Sequence, residues 1–319
     1  MSLTYSKSKV MESKLSIEQL KAGAKSMACT QHIRGLRSID FEALLVALAC
    51  ERLTRKRHDI ISIFESSGKN WNQTFHIMLF KVLGGMDNQV PMTRLAHIVS
   101  NYVLMRENSS IVNLEALLLG CSGLLDLYPQ DDYIHRLRLE HDHFKAKYGL
   151  ESMSAEEWNL ASRYRANHPT LRLAQLAACL HNKDFSIHSA LSCRTSRDVY
   201  ELFSGCASPY WLEHFVPNTQ IKASISRIGQ FKSDLLGINL IAPLIHAYGN
   251  HSLDEEFAYH AVHLLEDIAA ENNRYTKPWY DAGIEPRDAF LSQALIQLSK
   301  EYCSKQRCEQ CPLASRLRK

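Results

Sequence analysis

The sequence has no apolar run long enough to span a bilayer. Its most apolar stretch, LLGINLIAPLIHAYG (Leu235 to Gly249), is interrupted by Asn239, Pro243 and His246 and falls short of the roughly 20 residues a spanning helix needs. It predicts a buried, proline-kinked helix and no membrane partner. The opening MSLTYSKSKVMESK carries lysines without the apolar core of a secretory signal, which argues against export by that route. There is no Walker loop, Rossmann glycine fingerprint, nucleophile elbow or H-E-x-x-H pair, so the chemistries those motifs mark have no local signature. No run alternates apolar and polar side chains over strand length, and no internal repeat or low-complexity tract occurs. An excess of one charge is missing too: 37 Lys and Arg stand against 34 Asp and Glu, a net of +3. Whole-chain attraction to a polyanion is therefore weak, and only local clusters of charge can matter.

What is present is helical periodicity. With 319 residues, 45% of them hydrophobic and 22% charged, the chain can bury one large core or two ordinary ones. Phe41, Leu44, Leu45 and Leu48 form one stripe, and Trp71, Phe75, Met78, Leu79 and Val82 a second. Leu114, Leu117, Leu118, Cys121 and Leu125 follow, then Leu173, Leu176, Ala177 and Leu180, then Phe257, Ala261, Leu264, Leu265 and Ile268, and finally Leu291, Leu295 and Leu298. Spacings of three and four place each set on one helix face. Ser16 to Gln19 has the form of a capping box, and most prolines fall between stripes. The expected fold is all-α, a multi-helix globular bundle with two helical subdomains. The polar KYGLESMSAEEW (Lys147 to Trp158) divides an N-terminal half, 14–150, from a basic C-terminal half with a cysteine-rich tail, 158–319.

Nine cysteines is an odd number, and six of them (Cys29, Cys50, Cys121, Cys179, Cys193, Cys206) are scattered. That suits reduced thiols in a cytoplasmic protein better than a disulfide framework. The remaining three stand together in YCSKQRCEQCPL as C-x4-C-x2-C: Cys303, Cys308 and Cys311. A tight turn can aim the last two at one zinc ion while Cys303 approaches from the preceding helix. Zinc wants four ligands, and no fourth is evident nearby; a distant Cys or His, or water, would have to fill the place. The tail is similar to the C-x6-C-x2-C-x5-C of the endonuclease III family, but the first gap is two residues short and Leu317 stands where the fourth cysteine is due. The alternative is three thiols that pack a C-terminal tail.

A second candidate is SRYRANHPTLRLAQLA, Ser162 to Ala177. Pro169 suits the first position of a helix, where unpaired backbone N–H groups and the positive end of the helix dipole favour an anion. Arg163 and Arg165 arrive just before it, and Arg172 and Gln175 share a face three residues apart. Planar guanidinium groups suit phosphate oxygens. The competing reading pairs these arginines with acids of the stretch Leu253 to Glu271, which carries no Lys or Arg. A third set, Glu256, His260, His263 and Asp267, lies on one helix face and could ligate a divalent ion, although an amphipathic helix needs a polar face anyway. His141 to His143 (HDH) point in different directions on a helix.

In order along the chain, HPTLRLAQLAACL, SPYWLEHF, LGINLIAPLIHAYG, LLEDIAAENN, AGIEPRDAFLSQALIQL and YCSKQRCEQCPL resemble the domain-of-unknown-function 2851 family of bacterial proteins. Upstream, ACTQHIRGLRSIDFEALLVALACERLTRKRHDI and IVNLEALLLGCSGLLD resemble it as well, from about Lys14 onward. The resemblance implies longer relatives with a β-rich, nuclease-like region ahead of the helical part, and it assigns no catalytic residue. The leading expectation is a non-catalytic module that binds nucleic acid or another polyanion, or a nuclease-like partner domain. A metal-dependent hydrolase and a protein-interaction scaffold are the alternatives.

Overall fold

The computed structural model describes residues 28–129, 131–161, 167–222 and 226–318. The capping box expected at Ser16 to Gln19 lies outside them. The fold is all-α. Two compact units emerge: one joins the described residues of Met1–Arg52 to those of Ala270–Lys319, and the other is Leu53–Ala269. Helix α1 (Ser38–Ser66) contributes to both.

The second unit contains α2 (Trp71–Leu83), α3 (Gln89–Ile98), α4 (Asn101–Arg106), α5 (Ile111–Cys121) and α6 (Asp132–Tyr148). There follow α7 (Pro169–His181), α8 (Ile187–Ser192), α9 (Ser196–Leu202), α10 (Gln230–Leu236), α11 (Ala242–Ser252) and α12 (Glu255–Asp267). The polar stretch 147–158 lies in this unit, where α6 ends and a short 3-10 turn, Ala155–Glu157, follows. Helix α5 is the centre, packed against α6 and α7. Its Leu114, Leu117, Leu118 and Leu119 are fully buried, each contributing about 1.5–3 kcal/mol of apolar transfer. Side-chain caps fix several starts: Asn70 accepts from the Gln73 N–H, Asp131 from that of Ile134, and Thr195 forms a capping box with Asp198.

The apolar run that predicts a proline-kinked helix is helical and buried throughout its core, but its irregularity precedes the proline. Between α10 and α11 lies one π-helical turn, Gly237–Ile241, in which the Ala242 N–H bonds the carbonyl of Gly237 rather than that of Ile238. The released Ile238 carbonyl accepts from Lys56 Nζ at 3.1 Å, and Lys56 also reaches Asn239 Oδ1 at 3.0 Å. A buried backbone acceptor is thus kept satisfied.

The one strand pairing among the described residues is a hairpin, β1 (His214–Val216) with β2 (Thr219–Gln220), turned by Pro217 and a left-handed Asn218. Strands this short show no alternation in sequence. In the first unit, α13 (Lys277–Asp281) and α14 (Ala289–Gln297) precede a second π-helical turn, Leu298–Cys303, and the chain ends with α15 (Pro312–Leu317). Arg316 Nη1 donates to the Asp40 carbonyl at 2.5 Å, tying α15 to the start of α1.

Candidate functional site

Helix α7 begins with Pro169 in its first turn, after the buried N-cap residue His168. The Thr170 hydroxyl donates to the Phe215 carbonyl of β1 at 2.7 Å, so the 2.7 Å contact between Thr170 Oγ1 and His168 Nδ1 places the ring proton on Nδ1. Burial holds the His168 imidazole down at about 4. It is neutral at pH 7, and the positive charge near this helix start must come from elsewhere.

It comes from Arg172 and Lys232. Arg172 is buried, and its Nη1 and Nη2 each donate at 2.8 Å, to Gln175 Oε1 and to Asn167 Oδ1. Gln175 passes the connection on, donating to the Arg227 carbonyl at 3.1 Å. Half-buried Lys232, on α10, donates to the Leu83 carbonyl at the C-terminus of α2, 3.2 Å away. Burial pushes the Arg172 guanidinium down to about 10. Burial, and then the Arg172 charge, push the Lys232 ammonium down to about 7. Among the described residues no carboxylate pairs with either cation. The arrangement is therefore two neighbouring cations held by neutral acceptors. Arg163 and Arg165 lie outside the described residues. Lys232 comes 60 positions after Arg172, with no local pattern linking them, and only the fold brings the two together.

Cys303 ends the π-helical turn that extends α14, Cys308 and Cys311 are joined by a turn with Cys311 N–H donating to the Cys308 carbonyl at 3.3 Å, and Cys311 is the N-cap residue of α15. Cys308 and Cys311 are buried. The fold brings a fourth thiol to them: Cys29, on the 3-10 segment Ala28–Gly35 that packs against α15. Burial, and then the nearby Cys311 and Cys308, push the Cys29 thiol up to about 11. Burial, then Cys29, Cys311 and Cys308, push Cys303 up to about 12. Burial also raises Cys311, while the backbone N–H groups of Ala314 and Leu313 and the charge of Arg318 pull the other way. None of the nine cysteines forms a disulfide. As the side chains stand, no group of three or more His, Cys, Asp or Glu among the described residues forms a metal-ligand set.

The polar face of α12 assembles no site either. His260 Nε2 faces Glu256 Oε1 at 3.4 Å, His263 is exposed, and Asp267 accepts from the Ser196 N–H at 2.7 Å. In the HDH triplet, His141 is buried and Asp142 exposed. No helix among the described residues is long and apolar enough to cross a membrane.

The family model described as "Protein of unknown function (DUF2851)" matches residues 3–274. The chain belongs to this family. No curated protein and no solved structure matches it. The family match ends before the Cys303–Cys311 tail and includes Cys29, Arg172 and Lys232.

Proposed function

We propose that this DUF2851 chain is a helical anion-binding module that receives a phosphate group of a nucleic acid at the start of α7. The juxtaposition of Arg172 with Lys232, without a carboxylate between them among the described residues, carries the reading. Two like charges brought together away from water repel one another and lose hydration. A bound phosphate would offset both costs, and the first-turn N–H groups of α7 add the positive pole of the helix. Neutral acceptors such as Gln175 and Asn167 hold the guanidinium in place without cancelling its charge. Arg163 and Arg165, which precede the helix in sequence, would supply further contacts.

Fluorescence anisotropy with labelled duplex DNA and duplex RNA over a range of salt tests the proposal. Each neutralised phosphate contributes about −0.9 to the log–log slope for B-DNA. Arg172→Gln and Lys232→Gln should each flatten the slope by about one unit, with unchanged helical content by circular dichroism. Unchanged slopes together with lowered melting temperatures would mean that the two cations serve the fold alone.

A further inference from the structure

We propose that Cys29, Cys303, Cys308 and Cys311 form a tetrathiolate site for a single zinc ion, which fastens the Ala28–Gly35 segment to the C-terminal tail. The sequence offers three of these ligands at metal-binding spacing. The fold supplies the fourth from a residue 274 positions upstream of Cys303, and it does so inside one compact unit.

The local structure is suited to the task. The Cys311 N–H to Cys308 carbonyl bond closes the C-x2-C pair into one tight turn, the spacing that zinc sites use. The left-handed Gln306 (φ 53°) and the Arg307 N–H to Tyr302 carbonyl bond at 2.9 Å fold the chain back after Cys303, so that the four-residue gap does not carry Cys308 away. Cys29 lies on a segment that packs against α15, the helix that Cys311 caps. The four thiols lie within electrostatic reach of one another. Ligation requires sulfurs at about 2.3 Å from the ion, and rotation between staggered χ1 wells is the motion available to close the set.

A divalent ion deprotonates outright the thiols that coordinate it. Binding then replaces four S–H bonds with four Zn–S bonds and releases four protons to solvent. The resulting complex is doubly negative, and the N–H groups of Leu313 and Ala314 with the Arg318 charge already act on the Cys311 sulfur. Such outer partners stabilise metal-bound thiolates. Soft sulfur donors and a tetrahedral count of four select zinc over magnesium or calcium.

The test uses the full chain, purified reduced and without chelator. Elemental analysis should find about one zinc per chain, and X-ray absorption at the zinc edge should report four sulfur neighbours at about 2.3 Å. Cys29→Ser should convert the shell to three sulfurs and one lighter donor. It should weaken zinc binding by at least the roughly 10–100-fold that loss of an outer partner alone costs, while Cys121→Ser changes neither. If Cys29→Ser does not fold, cobalt titration of the metal-stripped parent protein decides, through the charge-transfer and ligand-field bands of a tetrahedral thiolate complex. Absence of stoichiometric metal together with absence of those bands would overturn the site. A three-sulfur shell that Cys29→Ser leaves unaltered would remove Cys29 from it, and iron with acid-labile sulfide would overturn the assignment to zinc.

Discussion

The indole Nε1 of Trp211 donates to Oε2 of Glu115 at 2.9 Å, joining residues 96 positions apart in the sequence. Glu115 is wholly buried on α5, and it also accepts from the Tyr133 hydroxyl at 2.5 Å and from the Ser208 hydroxyl at 3.1 Å and N–H at 3.3 Å. The SPYWLEHF segment, one of the stretches on which the family resemblance rests, is anchored to the central helix by this one carboxyl group. Burial raises the Glu115 pKa, and the four donors oppose the rise.

Removal of that anchor should be costly. Glu115→Ala leaves several buried donors unpaired, and a loss of about 3 kcal/mol or more is expected in urea unfolding. The pH dependence has a definite sign. A carboxyl group whose folded pKa lies above its unfolded value contributes stability that is present below the unfolded pKa and lost as pH rises through the folded one. Glu115→Gln should therefore remove a decline in stability on the alkaline side of about pH 4.5. A variant whose pH profile parallels that of the parent would show that the group titrates alike in both states.

His76 and His168 should act in the opposite sense. Both are buried, and burial holds each at about 4. Between that value and the unfolded 6.5 the unfolded chain binds more protons, so stability is fully present above about pH 6.5 and is lost as pH falls toward 4. A shift of this size corresponds to roughly 3 kcal/mol per group. Melting temperatures measured across this range should fall less steeply for His168→Asn, whose amide can still donate to Thr170, and for His76→Gln, which can still reach the Ala96 carbonyl that lies 3.0 Å from His76 Nε2. Because Glu115 runs against the histidines over part of the window, the parent curve understates both, and the single variants separate them.

The core was largely legible because helix periodicity is a local property. Of the stripes read from the sequence, Phe41, Trp71, Val82 and Phe257 are half-buried and the other members are buried. Arg172 and Gln175, expected on one face, meet at 2.8 Å. What escaped is what depends on long-range contact or on very short elements. Nothing around Cys29 in ACTQHIRG distinguishes it from the scattered thiols; only the packing of its segment against α15 does. Lys232 gains its meaning from Arg172 on another helix. The hairpin has too few residues to alternate. The π-helical turn at Gly237–Ile241 reflects a choice between two nearby carbonyls, which Lys56 stabilises from 182 positions away.

Close approach of α5 and α6 gives a third prediction. A Cβ built on Gly120 would lie 2.2 Å from Cγ of His141, far inside van der Waals contact, so an alanine there forces the buried imidazole or the helix to move. Gly120→Ala should lower stability by about 1–3 kcal/mol despite the better helix propensity of alanine. His141→Ala in the same background should recover part of the loss, and a double-mutant cycle should show coupling of about 0.5–3 kcal/mol. Additive effects would mean that the two helices adjust without reference to this pair.

Lys232 supplies the last prediction, which links the proposed anion site to proton uptake. In the free protein burial and Arg172 hold its ammonium at about 7, against about 10.4 in the unfolded chain. Between these values the unfolded state binds more protons, so the free protein gains stability as pH rises from about 7 toward 10 and loses it as pH falls through that window. A phosphate beside Lys232 favours the charged form and raises its pKa again. Binding above about pH 7 must then take up a proton, and affinity must decline with rising pH as that proton becomes scarcer. Calorimetry of a short DNA duplex at about pH 8, in two buffers of different ionisation heat, should show uptake of up to one proton, and Lys232→Gln should abolish it while the Arg172 contribution to the salt slope persists. Affinity that stays constant from about pH 6.5 to 9, with a Lys232→Gln variant that differs from the parent only in the pH dependence of its unfolding, would confine the lysine to capping α2 through the Leu83 carbonyl.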